Sequence, residues 1–320
     1  MDVAIGAAMC KKIFRLNNEC YMLANFFNKI KSWLSYRANI SFLLHQQRNN
    51  LKMDYLKQCV VSCKEMGVTS ERFCDHEVVV SLTSYGERIR YAYLAIESIM
   101  QGALKPNRIV LWLSEEEKEK PLPATLHLQI KRGLEVRYCS DIRSYKKIIP
   151  SLQVFPDACI VTIDDDMIYD VSLLDNLVYS YLENPACIIA NRTHLITFDD
   201  KRMPKSYLQW NWYSWENTPS HRNFFTGCGG VLYPPNCLDS SVFDFDVFNR
   251  ICYTADDIWL NAMAIKNGTK TVHCTLTDCC ETSASDISGL AAVNNNASDC
   301  KNDIQLKAVF EKYKLYYKFV

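Results

Sequence analysis

The sequence CIVTIDDD spans residues 159 to 166. Its first part, Cys159 to Ile163, is apolar or β-branched, which is typical of a strand buried on both faces of a parallel sheet. Asp164, Asp165 and Asp166 follow directly. Three adjacent acids at a buried strand end are costly to place without a cation. The stretch therefore predicts a buried strand whose carboxyl end opens onto a charged cleft.

The segments around this stretch alternate between short β-branched runs and helical periodicity. Helical patterns cover residues 93 to 99 and 173 to 182 and separate some of the apolar runs. This rhythm predicts an α/β fold, with a Rossmann-like, mostly parallel sheet flanked by helices on both faces. The predicted strands are Val78 to Leu82, Arg108 to Leu113, Leu134 to Tyr138, Cys159 to Ile163 and Cys187 to Ala190.

The two ends of the chain have a different pattern, so we divide it into three parts. Residues 1–76 form a predicted helical N-terminal extension, with an apolar stripe at Leu23, Phe26, Phe27, Ile30 and Leu34. Residues 77–280 form the α/β domain, and residues 281–320 a mobile loop and a C-terminal helix. The extension is locally basic and amphipathic. It is expected either to pack on protein or to lie on an anionic membrane surface.

Composition excludes several classes of protein. Lys plus Arg and Asp plus Glu both number 36, so the chain has no net positive charge that would attract a nucleic acid. The 15 cysteines are odd in number and no secretory signal precedes them, which indicates free thiols in a reducing cytoplasm. No stretch approaches the roughly 20 apolar residues of a membrane span. We therefore expect a cytoplasmic protein, with peripheral membrane contact as one option.

The three acids after the fourth predicted strand are candidate metal ligands. In an extended chain Asp164 and Asp166 point to one side and Asp165 to the other. Paired carboxylates at the carboxyl edge of a sheet suit Mg²⁺ or Mn²⁺, which would share its other positions with a diphosphate and water. The alternative is a turn whose aspartates accept local backbone hydrogen bonds.

A second acidic pair, Asp256 and Asp257, precedes an apolar helical run. An ionised aspartate at a helix amino terminus is favoured by the dipole and is suited to accept a proton from an acceptor hydroxyl. The alternative is a helix cap, because Thr254 and Asp257 approximate a capping box.

Glycines, aromatics and basic residues lie between and beside these acids. Gly229 and Gly230 permit close backbone approach to a ligand, but they lack the context of a dinucleotide fingerprint. Trp210, Trp212 and Trp215 are aromatic candidates, because flat aromatic faces stack on sugar rings; the alternative is that these side chains are buried in the core. Arg143 and Lys147 follow the third strand and are candidates to contact the phosphates of a bound nucleotide; the alternative is that they belong to a solvated loop.

Four motifs follow one another along the chain: Val79-Val80-Ser81-Leu82-Thr83-Ser84-Tyr85, Ile163-Asp164-Asp165-Asp166, Gly227 to Pro235 and Ala255-Asp256-Asp257. Taken in this order, they resemble bacterial glycosyltransferases of the GT-A fold, and within these the family 2-like enzymes that build capsular polysaccharide or O-antigen. The resemblance covers about residues 77 to 280.

The resemblance implies a sugar transfer from a nucleotide-sugar donor to a saccharide or lipid-linked acceptor, with inversion. It places Asp164 and Asp166 as the metal-binding pair, Asp164 and Asp165 beside the donor, and Asp257 as the base. Asp256 stands where the family usually has Glu, which leaves open which of the two acids is the base. The nucleotide is expected at Thr83, Ser84 and Tyr85, and His273 is a possible further metal ligand.

Three other functions compete with glycosyl transfer. Nucleotidyl transfer uses the same metal and diphosphate geometry, and the loop after the first strand offers Gly86, Arg88 and Arg90 for it. A carbohydrate-binding protein would use the tryptophans but has no need of the acids. A metal-dependent phosphohydrolase would act without an acceptor.

Overall fold

The computed structural model describes residues 31, 33, 35–37, 39–274, 277–282, 294 and 300–319. The predicted apolar stripe from Leu23 to Leu34 lies outside these residues. So does most of the predicted loop from 281 to 299. The chain forms two compact units, Met1–Asp54 and Tyr55–Val320.

In the first unit, the described residues are helical. The predicted helical extension ran to residue 76, but residues 63–76 contain no helix, so the helical segment ends at Ser62. Large apolar side chains on this helix are exposed, among them Trp33, Tyr36, Leu43 and Leu51. Lys31, Arg37, Arg48 and Lys52 are interspersed with them. Among the described helices of the whole chain, none combines the length and apolar character that a membrane span requires.

The second unit is built on a seven-stranded sheet, which confirms the predicted fold class. The strands stand in the order β10-β6-β9-β4-β1-β2-β3, and two further pairs, β5 with β11 and β7 with β8, form small sheets. In chain order the strands are β1 (Val78–Thr83), β2 (Arg108–Ser114), β3 (Leu134–Cys139), β4 (Cys159–Thr162), β5 (Met167–Tyr169), β6 (Ile188–Ala190), β7 (Thr193–Leu195), β8 (Asn223–Phe225), β9 (Val231–Tyr233), β10 (Thr271–His273) and β11 (Cys279–Glu281).

Helices cover both faces of this sheet, and alternate residues of one strand enter different cores. Val78, Val80 and Leu82 of β1 belong to one hydrophobic cluster, and Val79 belongs to the other. Burial on both faces explains why β1 and β4, at the centre of the sheet, are rich in apolar and β-branched residues. The helices are α1 (Ala92–Met100), α2 (Ala124–Ile130), α3 (Ile149–Val154), α4 (Leu173–Glu183), α5 (Phe245–Ile251), α6 (Asp256–Asn267) and α7 (Lys301–Tyr313).

One central strand, β9, was not predicted from the sequence. Val231–Tyr233 lies between β4 and β6 and runs antiparallel to both. The five predicted strands are all present, although Ile163 lies beyond the end of β4 and Cys187 before the start of β6. The sheet therefore brings the ends of β4 and β1, which are parallel neighbours, to the same edge.

The cysteines are free throughout the described residues, as the sequence predicts. Several are buried, including Cys159 at the start of β4 and Cys252 before α6. Burial raises the pKa of the Cys252 thiol to about 12. These thiols behave as small core side chains.

Candidate active site

The acids that follow β4 meet the loop that follows β1. Asp165 is buried, and its carboxylate accepts hydrogen bonds from Ser84 Oγ at 2.5 Å and from Arg88 Nε at 3.2 Å. The same guanidinium lies 2.9 Å from Asp166. Arg88 thus fixes two of the three acids, and Asp165 serves to hold the β1 loop against the β4 end.

The exposed fractions of the three acids follow the predicted alternation, but the cations with which they pair do not. Asp164 and Asp166 keep 27% and 20% of their side chains exposed, whereas Asp165 keeps 7%. Asp166 nevertheless shares Arg88 with Asp165, and Asp164 pairs with Lys147 instead. The reason is that β4 ends at Thr162, so a turn rather than an extended strand carries the acids.

Lys147 joins the two acidic segments. Its Nζ lies 2.7 Å from Asp164 Oδ1 and 3.0 Å from Asp256 Oδ2, and 6% of the side chain is exposed. Burial lowers the pKa of Lys147, but Asp164, Asp256 and Asp257 outweigh it and hold the pKa well above its usual value. Lys147 is therefore cationic at the centre of the site. To contact donor phosphates, as the sequence predicts, Lys147 would have to share its charge with Asp164 and Asp256.

The second acidic pair opens α6 and does not form the capping box that the sequence suggested. Ala255 occupies the cap position, and the Thr254 hydroxyl donates to Asn294 Oδ1 at 2.7 Å. Asp257 Oδ1 instead accepts the backbone N–H of Gly227 at 3.0 Å. Burial and Asp256 raise the pKa of Asp257 to about 7, against the effect of Lys147. Its carboxyl is thus poised to exchange a proton near neutral pH.

The cluster carries an excess of negative charge that favours a divalent cation. Five carboxylates, from residues 164 to 166 and 256 to 257, surround two cations, Lys147 and Arg88, which leaves a net charge of −3 when all are ionised. Asp164 and Asp166 each keep one oxygen without a hydrogen bond inside the described part of the chain. Hard oxygen donors of this kind suit Mg²⁺ or Mn²⁺. The residues therefore fit a divalent ion.

No group of three His, Cys, Asp or Glu side chains in the described residues is arranged to hold a metal by itself. This is consistent with an ion that two carboxylates share with substrate phosphates, which is how Mg²⁺ is usually held. His273 ends β10, which is three strands from β4 in the sheet, or about 14 Å at about 4.8 Å per strand. This separation gives no support to a metal contact by His273, which stays a prediction.

The glycine segment is packed tightly against the charged residues. A Cβ on Gly227 would lie 2.7 Å from Lys147 Nζ and 3.0 Å from Asp257 Oδ1, and one on Gly229 would lie 2.4 Å from Arg192 Cβ. Gly230 has φ +93°, a conformation that favours glycine. The glycines are therefore required by the protein's own packing, and the ligand contact predicted for Gly229 and Gly230 stays a prediction.

The three predicted tryptophans have different environments. Trp210 is buried, donates Nε1 to Lys205 O at 2.9 Å and packs on Tyr207 and Phe224, so it belongs to the core. Trp212 stacks on His194 with ring centroids 4.8 Å apart. Trp215 is 69% exposed and meets His273 edge to face. Of the three, Trp215 has the most surface for a ligand.

On the predicted nucleotide side, two hydroxyls are engaged within the protein and two side chains are more accessible. Thr83 Oγ1 donates to Trp112 O at 2.9 Å, and Ser84 is bound to Asp165. Tyr85 is 50% exposed. Arg143 lies over the ring of Tyr253, with Cζ 3.1 Å from the centroid. Tyr85 and Arg143 are therefore the better candidates for direct contact with a nucleotide.

Two structural residues of the site were not predicted. Tyr169 Oη accepts the backbone N–H of Asp164 at 2.8 Å and donates to Cys228 O at 3.1 Å, which ties the acidic turn to the glycine segment. Arg192 lies against the same segment. A tyrosine five residues after Asp164 and an arginine two residues after a strand carry no recognisable motif.

A cleft of about 660 Å³ is present elsewhere in the second unit, where β1 and β2 begin. Its lining includes Glu77, Asn107 and Arg108. Arg108 pairs there with Glu77 and Glu135, and Asn107 bonds backbone groups. Its charged and amide groups are thus used structurally. The acidic cluster, and not this cleft, combines the carboxylates and cations that a catalytic site requires.

No protein-family model matches the chain, and no curated protein matches it in sequence. Among solved structures, it is similar to the mannosyltransferase PcManGT from Pyrobaculum calidifontis in complex with GDP-Man and Mn²⁺. The TM-score is 0.44 and the identity 13%, over 87% of this chain and 79% of that chain.

Proposed function

We propose that the chain is a divalent-metal-dependent glycosyltransferase of the GT-A type, which transfers a sugar from a nucleotide-sugar donor to a saccharide or lipid-linked acceptor. The supporting observation is the cluster of five carboxylates around Lys147 and Arg88 at the sheet edge. Its negative charge favours a divalent ion, which would complete its coordination with the oxygens of a diphosphate.

On the donor side, Asp164 and Asp166 would hold Mn²⁺ or Mg²⁺. Such an ion offsets the charge that develops on a departing diphosphate. Asp165 keeps the β1 loop in place through Ser84 and Arg88, which lie on either side of Tyr85 in the sequence. Tyr85 is proposed to contact the nucleotide. Arg143 is proposed to contact the donor phosphates.

Asp257 is the proposed base. It would take the proton from the acceptor hydroxyl as that oxygen attacks the anomeric carbon, so the transfer is direct and inverts the configuration. A pKa of about 7 suits a group that must be ionised yet able to accept a proton. Asp256 is more buried and paired with Lys147, which favours Asp257 for this role.

The acceptor is proposed to lie beside Trp212, Trp215 and the glycine segment. Capsular polysaccharide or O-antigen assembly in the cytoplasm, next to an anionic membrane, is the setting that the sequence resemblance suggests. The basic, apolar helix of the first unit suits a peripheral membrane contact.

The rival function of nucleotidyl transfer loses support from the environment of the loop after β1. Arg88 is bound to Asp165 and Asp166, and Arg90 is exposed and pairs with Glu87. Neither Arg88 nor Arg90 is unpaired and available to bind a triphosphate, which favours glycosyl transfer.

The proposal is tested by incubating the protein with UDP-, GDP- and ADP-sugars, with and without a mixture of saccharide acceptors and with Mn²⁺ or EDTA, and measuring nucleoside diphosphate release and the glycosylated acceptor. One donor is expected to turn over, and only with the metal. Release of inorganic phosphate, or of pyrophosphate from a nucleoside triphosphate and a sugar phosphate, would contradict glycosyl transfer.

A further inference from the structure

Arg192 differs from most of the chain's partly buried arginines. Arg88, Arg108, Arg132 and Arg137 each pair with a carboxylate. Within the described residues, Arg192 has no carboxylate partner. Its NH1 donates to Cys228 Sγ at 2.7 Å, its NH2 reaches Tyr213 Oη at 3.4 Å, and its buried Nε has no hydrogen-bond partner.

These partners are weak for a guanidinium. A thiol is a poor acceptor, and the bond to the phenol is long. Burial raises the pKa of Cys228 to about 12, so this thiol stays neutral beside Arg192. Buried cations are normally paired with an anion. The arrangement leaves donors on the two terminal nitrogens of Arg192 that an oxyanion would satisfy better than a thiol or a distant phenol, because a guanidinium binds carboxylate and phosphate strongly.

The surroundings of Arg192 suit a sugar. Ser214 exchanges backbone and side-chain hydrogen bonds with Thr193, which holds the neighbouring Tyr213 beside Arg192. Arg192 Cζ lies 4.6 Å from the ring centroid of Tyr213, and Tyr213 is largely exposed. Trp215, two residues further along the chain, is also largely exposed. A cation beside an accessible aromatic ring is suited to a sugar that carries a negative group.

Arg192 is also connected to the proposed base. Its guanidinium contacts Cys228, and the neighbouring Gly227 donates its N–H to Asp257. The Cβ of Arg192 packs at the position of Gly229. The cation therefore lies against the same glycine segment that contacts Asp257.

We propose that Arg192 recognises an oxyanion on the acceptor, a carboxylate or a phosphate, and so makes the enzyme selective for an acidic acceptor sugar. This rests on the glycosyltransferase function proposed above. Tyr213 and Trp215 would contact the sugar ring, and Arg192 its charged group. Arg143 remains the arginine assigned to the donor.

The test is a titration of the full chain, in Mn²⁺ with UDP or GDP, with methyl glucuronide, glucose 6-phosphate and methyl glucoside. At least one acidic sugar is expected to bind about 10-fold or more tightly than the neutral one. The glucuronide and the phosphate distinguish the two sources of the oxyanion. In Arg192→Gln this preference should disappear, whereas Arg192→Lys should keep part of it.

Arg222→Gln is the matched control, because Arg222 is exposed and lies over Phe198 without contacting the glycine segment. It should keep the full preference. Equal binding of neutral and acidic sugars by the unaltered protein, or an unchanged preference in Arg192→Gln, would overturn the proposal. A loss of nucleotide affinity in Arg192→Gln as large as its loss of affinity for the acidic sugar would also overturn the proposal, because it would assign Arg192 to the donor. Absence of Mn²⁺-dependent nucleotide binding in the unaltered protein would instead count against glycosyl transfer itself.

Discussion

Lys147→Met is expected to destabilise the second unit by about 3 to 5 kcal/mol, the usual cost of removing one partner from a buried ion pair. Lys147 is the buried cation between Asp164 and Asp256, and without it two carboxylates face each other with no compensation. The free energy of unfolding, measured by urea denaturation at pH 7, tests this directly.

Lys146→Met is the matched control for this substitution. Lys146 is equally buried and adjacent in sequence, but its partner Asp141 is about half exposed and remains solvated when the lysine is lost. We expect a clearly smaller effect. If the two variants were equally stable, the charged cluster would not depend on Lys147, and the account of the site would be wrong.

Asp257→Asn is expected to slow sugar transfer by about 10²- to 10⁴-fold, which is the usual contribution of a general base. The amide cannot accept the acceptor's proton, but it can still accept the Gly227 N–H, so the local fold should persist. The measurement is the initial rate of nucleoside diphosphate release in the presence of an acceptor, together with the affinity for nucleotide and Mn²⁺, which should not change.

Asp256→Asn and the pH profile complete this test. With Asp257 as base, the rate should rise with pH through about 7, because the raised pKa keeps the carboxyl protonated below that value. The folded state then binds more protons than the unfolded state between about pH 4 and 7, so Asp257 lowers stability as pH rises through that window. A larger rate loss in Asp256→Asn than in Asp257→Asn, with the profile unchanged in Asp257→Asn, would assign the base to Asp256.

Most of the sheet was predictable because its strands are local signals. β1 and β2 are largely apolar runs buried on both faces, and β3 is a half-buried edge strand with charged residues. Each of the three appears within one residue of its predicted bounds. β9 was missed because Val231–Tyr233 is short and follows glycines that indicate a loop. Its insertion between β4 and β6 depends on pairing with distant residues, which no local pattern reports.

The sequence indicated which acids stand out as candidates, but not which residues they pair with. Asp164, Asp166 and Asp257 stand out because each follows a strand or opens a helix. Their partners are remote in sequence: Asp165 is 77 residues from Arg88, and Asp257 is 30 from Gly227. Aromatic residues were separable into core and surface only by structure, because a tryptophan suits either environment.

The most direct test of the central claim is the unfolding temperature of the protein with UDP, GDP, ADP or CDP, measured with Mn²⁺ and with EDTA. One nucleotide is expected to raise it by about 2 to 5 °C in Mn²⁺ alone, since a ligand that binds only the folded state stabilises it. Asp166→Asn should lose this rise. A rise that persists in EDTA or in Asp166→Asn, or no rise with any nucleotide, would contradict a metal and diphosphate site at the end of β4.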